Sequence, residues 1–229
     1  MRAIRSLISF LMLLMIKSAA LLFYRFKIGW PSKRIDWDNI RLIVFLNHTS
    51  LYEFLFLGFI PVSFLRQLSK RMVAPGADKT LNRPLVGIFF KLFSPGMTPI
   101  TRKRDDTWAQ FLDSIYDNSI IIIAPEGRMK RKTGFDLDGN KMTVKSGVVE
   151  VLTGLDKGQM VITYSGGLHH VQIPDEGLPK LFKTLKMNLA VFGIEEYKTG
   201  FAETPGSPEW KKSVLEDLQN RLETKVPTE

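Results

Sequence analysis

The sequence contains no cysteine and only three histidines in 229 residues. Without cysteine the chain has no disulfide and no thiolate metal site, although the redox character of its compartment stays open. Two of the histidines, His169 and His170, are adjacent, and no acidic partner lies at ligand spacing from them, so we interpret them as loop residues and expect no metal centre. We find no internal repeat and no low-complexity tract. A hydrophobic content of 45% fits a single domain with one substantial core.

Two further patterns are missing. Ser165, in the run Tyr164-Ser165-Gly166-Gly167, does not stand in the G-x-S-x-G elbow of serine hydrolases. The basic residues, which give a formal net charge of +9, are not interleaved with aromatic residues as in nucleic-acid-binding proteins. The charge still indicates an anionic partner, such as anionic lipid or a phosphorylated small substrate. Because the basic residues are not interleaved with aromatic residues, we expect no nucleic-acid partner.

A long apolar run lies at the N-terminus, where it reaches from Leu7 to Tyr24 and is interrupted by Lys17. A membrane-spanning helix needs about 20 apolar residues, so a span, a helix lying in one leaflet and a cleavable secretory signal all fit. We expect a membrane-anchoring segment at residues 1–30, followed by a single domain at residues 31–229. Basic residues around the run indicate membrane association, with the domain on the cytoplasmic face; they are Arg2, Arg5, Arg25, Lys27, Lys33 and Arg34.

From residue 41 onward, short runs of β-forming residues alternate with helix-like segments. This alternation predicts an α/β domain with a mixed, largely parallel sheet flanked by helices. The predicted strands are Leu42–Leu46, Met72–Ala74, Met97–Thr101, Ile120–Ala124, Val161–Tyr164 and Asn188–Ile194. The predicted helices are Leu51–Gly58, Asn82–Phe93, Thr107–Asp117, Ser146–Thr153 and a last helix that begins at Ser207-Pro208-Glu209 and ends near Thr224. The apolar side chains of Pro84 to Phe90 either belong to the core or line a groove for an acyl chain.

The run Asn47-His48-Thr49-Ser50-Leu51-Tyr52-Glu53 follows the first of these strands. If His48 lies in the loop and Glu53 in the next helix, the carboxylate can bind one ring nitrogen and leave the other to take a proton from a hydroxyl. On one regular helix the two side chains would point about 140° apart and could not meet. Ser50-x-x-Glu53 is also a capping box, so the pattern supports a general base and a helix cap alike.

A second group of polar residues follows the strand Ile120–Ala124. It reads Pro125-Glu126-Gly127-Arg128-Met129 and continues into Lys130-Arg131-Lys132. Glycine allows a loop backbone to approach a ligand, and arginine offers a planar fork for phosphate oxygens. We interpret Glu126-Gly127-Arg128 as part of an anion site and Lys130 to Lys132 as a solvated basic loop.

In this order, over roughly residues 42 to 164, these residues resemble the glycerolipid acyltransferases of the 1-acylglycerol-3-phosphate acyltransferase type. The family's first block, N-H-x-S-x-x-D, matches Asn47 to Glu53, with glutamate in place of aspartate. Pro125-Glu126-Gly127 matches F-P-E-G-T-R, but Arg128-Met129 replaces the threonine and arginine. The other matches are Arg102 in the second block, Lys145-Ser146-Gly147 in a following K-x-G, and Lys79, Pro84 and Gly87.

The resemblance implies an acyltransferase that moves a fatty acyl group from an acyl thioester to the hydroxyl of a lysophospholipid, above all 1-acylglycerol-3-phosphate. The donor, acyl-coenzyme A or acyl carrier protein, is a co-substrate, and no cofactor is implied. The expected partners are membrane lipids, the lysophospholipid acceptor and the thioester donor. The implied catalytic residues are His48 and Glu53. The implied substrate-binding residues are Asn47, Ser50, Arg102, Glu126, Gly127, Arg128 and Lys145.

Two alternatives remain open at this point. The same chemistry can act on another lipid acceptor, such as a different lysophospholipid, an amino-acid lipid or a glycolipid, because the block around Arg128 departs from the family pattern. The chain can also be a catalytically silent membrane lipid-binding protein. Retention of His48, Arg102 and Glu126 together argues against the silent protein.

Overall fold

The computed structural model describes residues 2–94, 96–101, 105–173 and 178–228. Along the chain its elements alternate between strands and helices, with one 3₁₀ helix, η1. They are α1 (Arg2–Phe23), β1 (Arg25–Gly29), β2 (Ile40–Leu46), η1 (Leu51–Phe59), α2 (Val62–Arg71), β3 (Met72–Ala77), α3 (Asp78–Leu81), α4 (Pro84–Phe93), β4 (Gly96–Ile100), α5 (Asp106–Asp113), β5 (Ile120–Ile123), α6 (Gly147–Thr153), β6 (Gln159–Ser165), β7 (Thr184–Gly193), α7 (Ile194–Thr199) and α8 (Pro208–Thr224).

The strands form one sheet in the order β1-β7-β6-β2-β5-β3-β4. Every neighbouring pair is parallel except β6 and β7, so the predicted mixed, largely parallel sheet is confirmed. In parallel strands the carboxyl ends meet at one edge, where ligands commonly bind. We therefore look for the candidate site at the carboxyl ends of β2, β5 and β6.

Strand β1 was not predicted from the sequence. It falls inside the segment 1–30 and pairs with β7, with Arg25 opposite Thr184 and Gly29 opposite Asn188. Its alternation of exposed basic and half-buried apolar residues has the period of an edge strand. The strand joins the end of the N-terminal segment to the sheet.

The predicted helices all form, with small differences at their ends. The segment after His48 is a 3₁₀ helix rather than an α-helix, and α5 ends at Asp113 instead of Asp117. The last helix has the predicted cap, because the Ser207 side chain accepts a hydrogen bond from the Trp210 N–H and proline occupies the first turn. Helix α2 was not predicted, although Phe64, Leu65 and Leu68 give it a buried apolar face.

Strand β2 separates two hydrophobic cores. Leu42, Val44 and Leu46 pack on the face that carries α6 and α8, whereas Ile43 and Phe45 face α1, η1 and α2. A register shift between Ile40 and Leu42 turns Ile40 to the same side as Ile43. The second core is therefore continuous from the start of β2 to the loop that follows it.

Helix α1 is attached to the domain along one side. Leu13 and Ala20 are fully buried against the second core. The Ser6 hydroxyl donates to the Ser69 carbonyl at 3.0 Å, and the Ser9 hydroxyl donates to the Phe93 carbonyl at 2.9 Å. Lys17, which interrupts the apolar run, turns inward and donates to the carbonyls of Gly58 and Ile60 at the end of η1. Burial lowers the pKa of Lys17.

Candidate active site

The site begins where β2 ends and the chain turns into η1. Asn47 adopts a positive φ of 66°, which asparagine tolerates better than most residues, and this turn releases His48 from the strand. The Asn47 side chain donates from Nδ2 to the Ser165 carbonyl at 2.8 Å at the neighbouring end of β6. The loop is thereby fixed to the sheet on the residue before His48.

His48 and Glu53 meet as the sequence predicted, with the histidine in the loop and the glutamate in η1. Their hydrogen bond joins His48 Nδ1 to Glu53 Oε2. The other carboxylate oxygen of Glu53 accepts the N–H groups of Thr49 at 2.6 Å and Ser50 at 3.3 Å. One glutamate therefore caps η1 and also binds the imidazole, so the predicted helix cap is confirmed and the general base stays a prediction.

The surroundings of His48 favour its protonated form. Burial acts to lower the pKa of the imidazole, but the charge of Glu53, the hydrogen bond to it and the charge of Glu126 together raise the pKa above its ordinary value. Because Nδ1 is bound to Glu53, the nitrogen left for a substrate is Nε2, which has no hydrogen-bond partner among the described residues. The ring is suited to accept a proton there.

Glu126 lies next to this loop at the end of β5. It is 3% exposed, and its Oε1 accepts the Asn47 N–H at 2.6 Å. Oε2 is buried with no hydrogen-bond partner among the described residues. Burial raises the pKa of Glu126 to about 7, against the opposing charge of His48 and the hydrogen bond from Asn47. A buried carboxylate of this kind supports the backbone beside His48.

Because the pKa of Glu126 is raised from 4.5 to about 7, its contribution to stability depends on pH. The folded protein holds this proton more tightly than the unfolded chain, so the stabilisation is present at pH 4.5 and lost as pH rises through 7. At about 1.4 kcal/mol per pKa unit, the loss is on the order of 3 kcal/mol. We therefore expect Glu126→Gln, which cannot ionise, to gain stability relative to the original protein between pH 5 and pH 8.

Thermal unfolding in one detergent at both pH values measures this gain. Glu209→Gln, which removes an exposed carboxylate from the first turn of α8, is the matched control. The raised pKa would be contradicted if the melting temperatures of Glu126→Gln and of the original protein differed by the same amount at pH 5 and at pH 8.

Residues 166–172, which follow β6, hold the His48 loop and the loop that contains Glu126 and Lys130 in position. The Thr49 hydroxyl accepts the Leu168 N–H at 2.8 Å, and the Ser50 hydroxyl donates to Gln172 Oε1 at 3.0 Å. His169 Nε2 donates to the Lys130 carbonyl at 2.8 Å. The sequence analysis treated His169 as a loop residue and did not single out Gln172. The sequence did contain a signal for these contacts, because His169, His170 and Gln172 come soon after the end of a predicted strand.

A model of the acyltransferase family matches residues 32–164. The match covers more than half of the chain and contains the His48 and Glu126 loops. The chain belongs to the acyltransferase family. The solved structure of PlsC, the 1-acyl-sn-glycerophosphate (LPA) acyltransferase from Thermotoga maritima, is similar over 100% of both chains, with a TM-score of 0.52 and 13% sequence identity. At that identity the likeness concerns the fold. No curated protein matches the sequence.

The acyltransferase has an apolar cavity whose lining includes His48. Its volume is about 380 Å³, and it lies between the sheet and the helices α2, α4 and η1. From Ile40 to His48 it follows the length of β2, a distance of roughly 26 Å at 3.3 Å per residue. At the end of β2 the lining contains His48, Glu53 and Arg128, and toward the start of β2 it contains Trp37, Ile40, Phe64, Leu68 and Met72.

The remaining predicted site residues have different surroundings. Ser50 is buried and lines the cavity, although its hydroxyl is already bonded to Gln172. Gly127 lines the cavity in a left-handed conformation, with φ of 68°. Lys145 is exposed, and its Nζ donates to Thr143 Oγ1 at 2.7 Å. Its N–H donates to the Pro125 carbonyl at 2.9 Å, so it supports the Glu126 loop through its backbone. Arg102 lies outside the described residues.

Arg128 is engaged within the protein. Its guanidinium pairs with Asp136 at 2.9 Å and with Asp138. The hydrogen bond to Asp138 is the main cause that raises the pKa of Arg128.

In the part of the chain that the structure describes, no group of three His, Asp or Glu side chains is arranged to hold a metal ion.

Proposed function

We propose that this acyltransferase transfers a fatty acyl group from an acyl thioester to the free hydroxyl of a lysophospholipid, with 1-acylglycerol-3-phosphate as the principal acceptor. The observation that carries the proposal is the His48–Glu53 pair in the lining of a long apolar cavity. A base oriented by a carboxylate suits deprotonation of a hydroxyl, and the cavity suits a hydrocarbon chain. The name of the structurally similar PlsC supports the choice of acceptor for this chain.

In the proposed reaction His48 Nε2 accepts the proton of the acceptor hydroxyl as the oxygen attacks the thioester carbonyl. The new carbon–oxygen bond replaces the carbon–sulfur bond, and the departing thiolate receives the proton that His48 has held. Glu53 keeps the imidazole in the orientation that exposes Nε2 and stabilises the imidazolium formed during attack. No nucleophilic side chain and no cofactor take part.

The donor's acyl chain is expected to occupy the cavity along β2. Burial of each methylene there contributes about 0.8 kcal/mol, so the chain supplies most of the donor's binding free energy. The thioester carbonyl then lies near His48, and the carrier, coenzyme A or acyl carrier protein, stays outside. The carrier is a co-substrate in either case.

We further propose that the protein lies on the cytoplasmic membrane surface with α1 in the interface. Ala3–Phe23 is long and apolar enough to span a membrane, a test that a signal sequence near an N-terminus also passes. Its outward face remains apolar, as does that of α4. Arg25, Lys180 and Lys183 are exposed near its C-terminal end, where anionic headgroups would meet them. A helix docked on one side and apolar on the other suits burial in one leaflet.

We expect the triple variant Leu7→Glu, Leu11→Glu and Met15→Glu to move from the membrane fraction to the soluble fraction. These side chains are 57%, 56% and 62% exposed, so their replacement leaves the buried face of α1 intact. Fractionation of cell lysates at moderate salt measures the change. The control is a second triple variant, Ala109→Glu, Gln110→Glu and Asn220→Glu, which adds the same charge at exposed positions elsewhere. Equal membrane fractions for the two triple variants would contradict the role of α1.

The experiment that tests the function follows a labelled acyl group from acyl-coenzyme A and from acyl carrier protein into a panel of lysolipids. The main proposal expects a product with lysophosphatidate. A product with another lysolipid only would identify a different acceptor, a second candidate that the ion pairs of Arg128 favour. No product with any acceptor would support a lipid-binding protein without activity.

A further inference from the structure

The charge of Arg128 is already compensated. Its guanidinium has two aspartate partners, Asp136 and Asp138, and the backbone of Asn140 holds Asp136 Oδ1 with an N–H at 2.8 Å. One positive and two negative charges leave this cluster with a net charge of −1. A phosphate brought to Arg128 would meet two carboxylates as well as the guanidinium, and like charges at such distances repel. Arg128 is therefore poorly suited to hold an anionic head group.

Lys130 lies two residues further along, and its backbone is fixed to His48. The Lys130 N–H donates to the His48 carbonyl at 2.7 Å, and the Lys130 carbonyl accepts the hydrogen bond from His169. These two bonds set the position of Lys130 relative to the catalytic loop. The pairing is long-range in sequence, which explains why the basic run alone gave no sign of it.

The Lys130 side chain extends toward the residue before His48. Its Nζ lies 3.4 Å from Asn47 Oδ1, and the same asparagine donates from Nδ2 to Ser165. Among the described residues Lys130 has no carboxylate within ion-pair distance. Lys130 is half-buried, and its ammonium lies beside Asn47, the residue that precedes His48.

We propose that Lys130, rather than Arg128, binds the anionic group of the acceptor. The inference rests on the proposed acyl transfer and adds the residue that selects an anionic acceptor. A lysine ammonium is a compact point charge with three donors, so it can bind a phosphate without the bidentate geometry that arginine imposes. One bond to Asn47 leaves two of its donors for the ligand.

Lys130→Met tests this assignment in the full-length protein, with the anionic lysolipid that the intact protein acylates. We expect the KM for that acceptor to rise about 10- to 100-fold, the usual effect of losing a hydrogen bond to a charged group. The kcat and the KM for the thioester donor should stay nearly unchanged, because the His48–Glu53 pair is intact. Lys130→Arg keeps the charge and should restore most of the acceptor affinity. Lys132→Met, which removes an exposed charge from the same basic run, is the matched control.

Three results would overturn the inference while the proposed function stands. One is an acceptor KM that Lys130→Met leaves unchanged. Another is a KM that rises more in Arg128→Met than in Lys130→Met. The third is a fall in kcat with no change in KM, because that pattern belongs to a residue that supports His48. If the intact protein acylates no lysolipid, the proposed function fails and this inference fails with it.

Discussion

Replacement of His48 by alanine is expected to reduce acyl transfer about 10³- to 10⁴-fold, the upper range for loss of a general base. The hydroxyl of the acceptor is a poor nucleophile until a base removes its proton. In the proposed reaction that base is the imidazole of His48, whose Nδ1 is bound to Glu53. Initial rates with saturating donor and acceptor measure the effect.

The fold should survive this change. In His48→Ala, Glu53 still accepts the N–H groups of Thr49 and Ser50, so η1 keeps its cap. His170→Ala is the matched control, since His170 Nε2 bonds to the Thr184 carbonyl, away from the His48 loop. A His48→Ala protein that melts normally and retains a tenth of the original rate would refute the assignment of the base.

Glu53→Gln examines the same pair through pH. The raised pKa of His48 depends on the charge of Glu53, and only the neutral imidazole is a base, so the rate rises with pH through that pKa. Removing the charge lowers the pKa, and the acidic limb of the pH–rate profile should move to lower pH while the maximal rate falls. A capping role alone would reduce stability without moving this limb.

The sequence was sufficient for the parts of this site that depend on short-range patterns. The run Leu42–Leu46 has the composition of a buried strand, and the need for His48 and Glu53 to meet required a loop followed by a helix. The structure has that arrangement, with η1 in place of an α-helix. Strand β1 was missed because its alternating basic residues also fit the flank of a membrane anchor.

Contacts between distant loops could not be predicted in this way. The pairing of Lys130 with His48 and of Leu168 with Thr49 depends on three loops at one edge of the sheet. Loop residues have no periodicity that reports their partners. The two aspartates on Arg128 belong to a turn of residues 136–140 whose position only the folded chain defines. The sequence thus predicted the pairing of His48 with Glu53, whereas the contacts that support this pair are defined by the folded chain.

The second large effect concerns the part of the cavity that lies away from His48. Leu42 of β2 lies opposite Ile121 of β5, which lies opposite Val73 of β3, so Ala74 is level with Ile43. Ala74 lines the cavity and is 8% exposed. Five residues separate this level from His48, or roughly 16 Å along the strand. A phenylalanine at Ala74 would therefore close the cavity well beyond His48.

We expect Ala74→Phe to reduce kcat/KM about 100-fold for a long-chain donor and to leave a short-chain donor nearly unaffected. If the ring prevents the burial of four methylenes, the loss is about 3 kcal/mol at 0.8 kcal/mol each, which corresponds to roughly two orders of magnitude. Rates with palmitoyl- and octanoyl-coenzyme A, measured at the same acceptor concentration, give the ratio directly.

The ratio separates a blocked cavity from a damaged fold. Overpacking of a filled core destabilises the whole protein by about 1–3 kcal/mol and would lower both rates together. An aromatic ring that enters empty space has no such cost and changes the rate only for chains long enough to reach it. Ala109→Phe, at an exposed position of α5, controls for the added ring. Equal losses for the two donors would mean that the acyl chain does not lie along β2, and the cavity would then need another occupant.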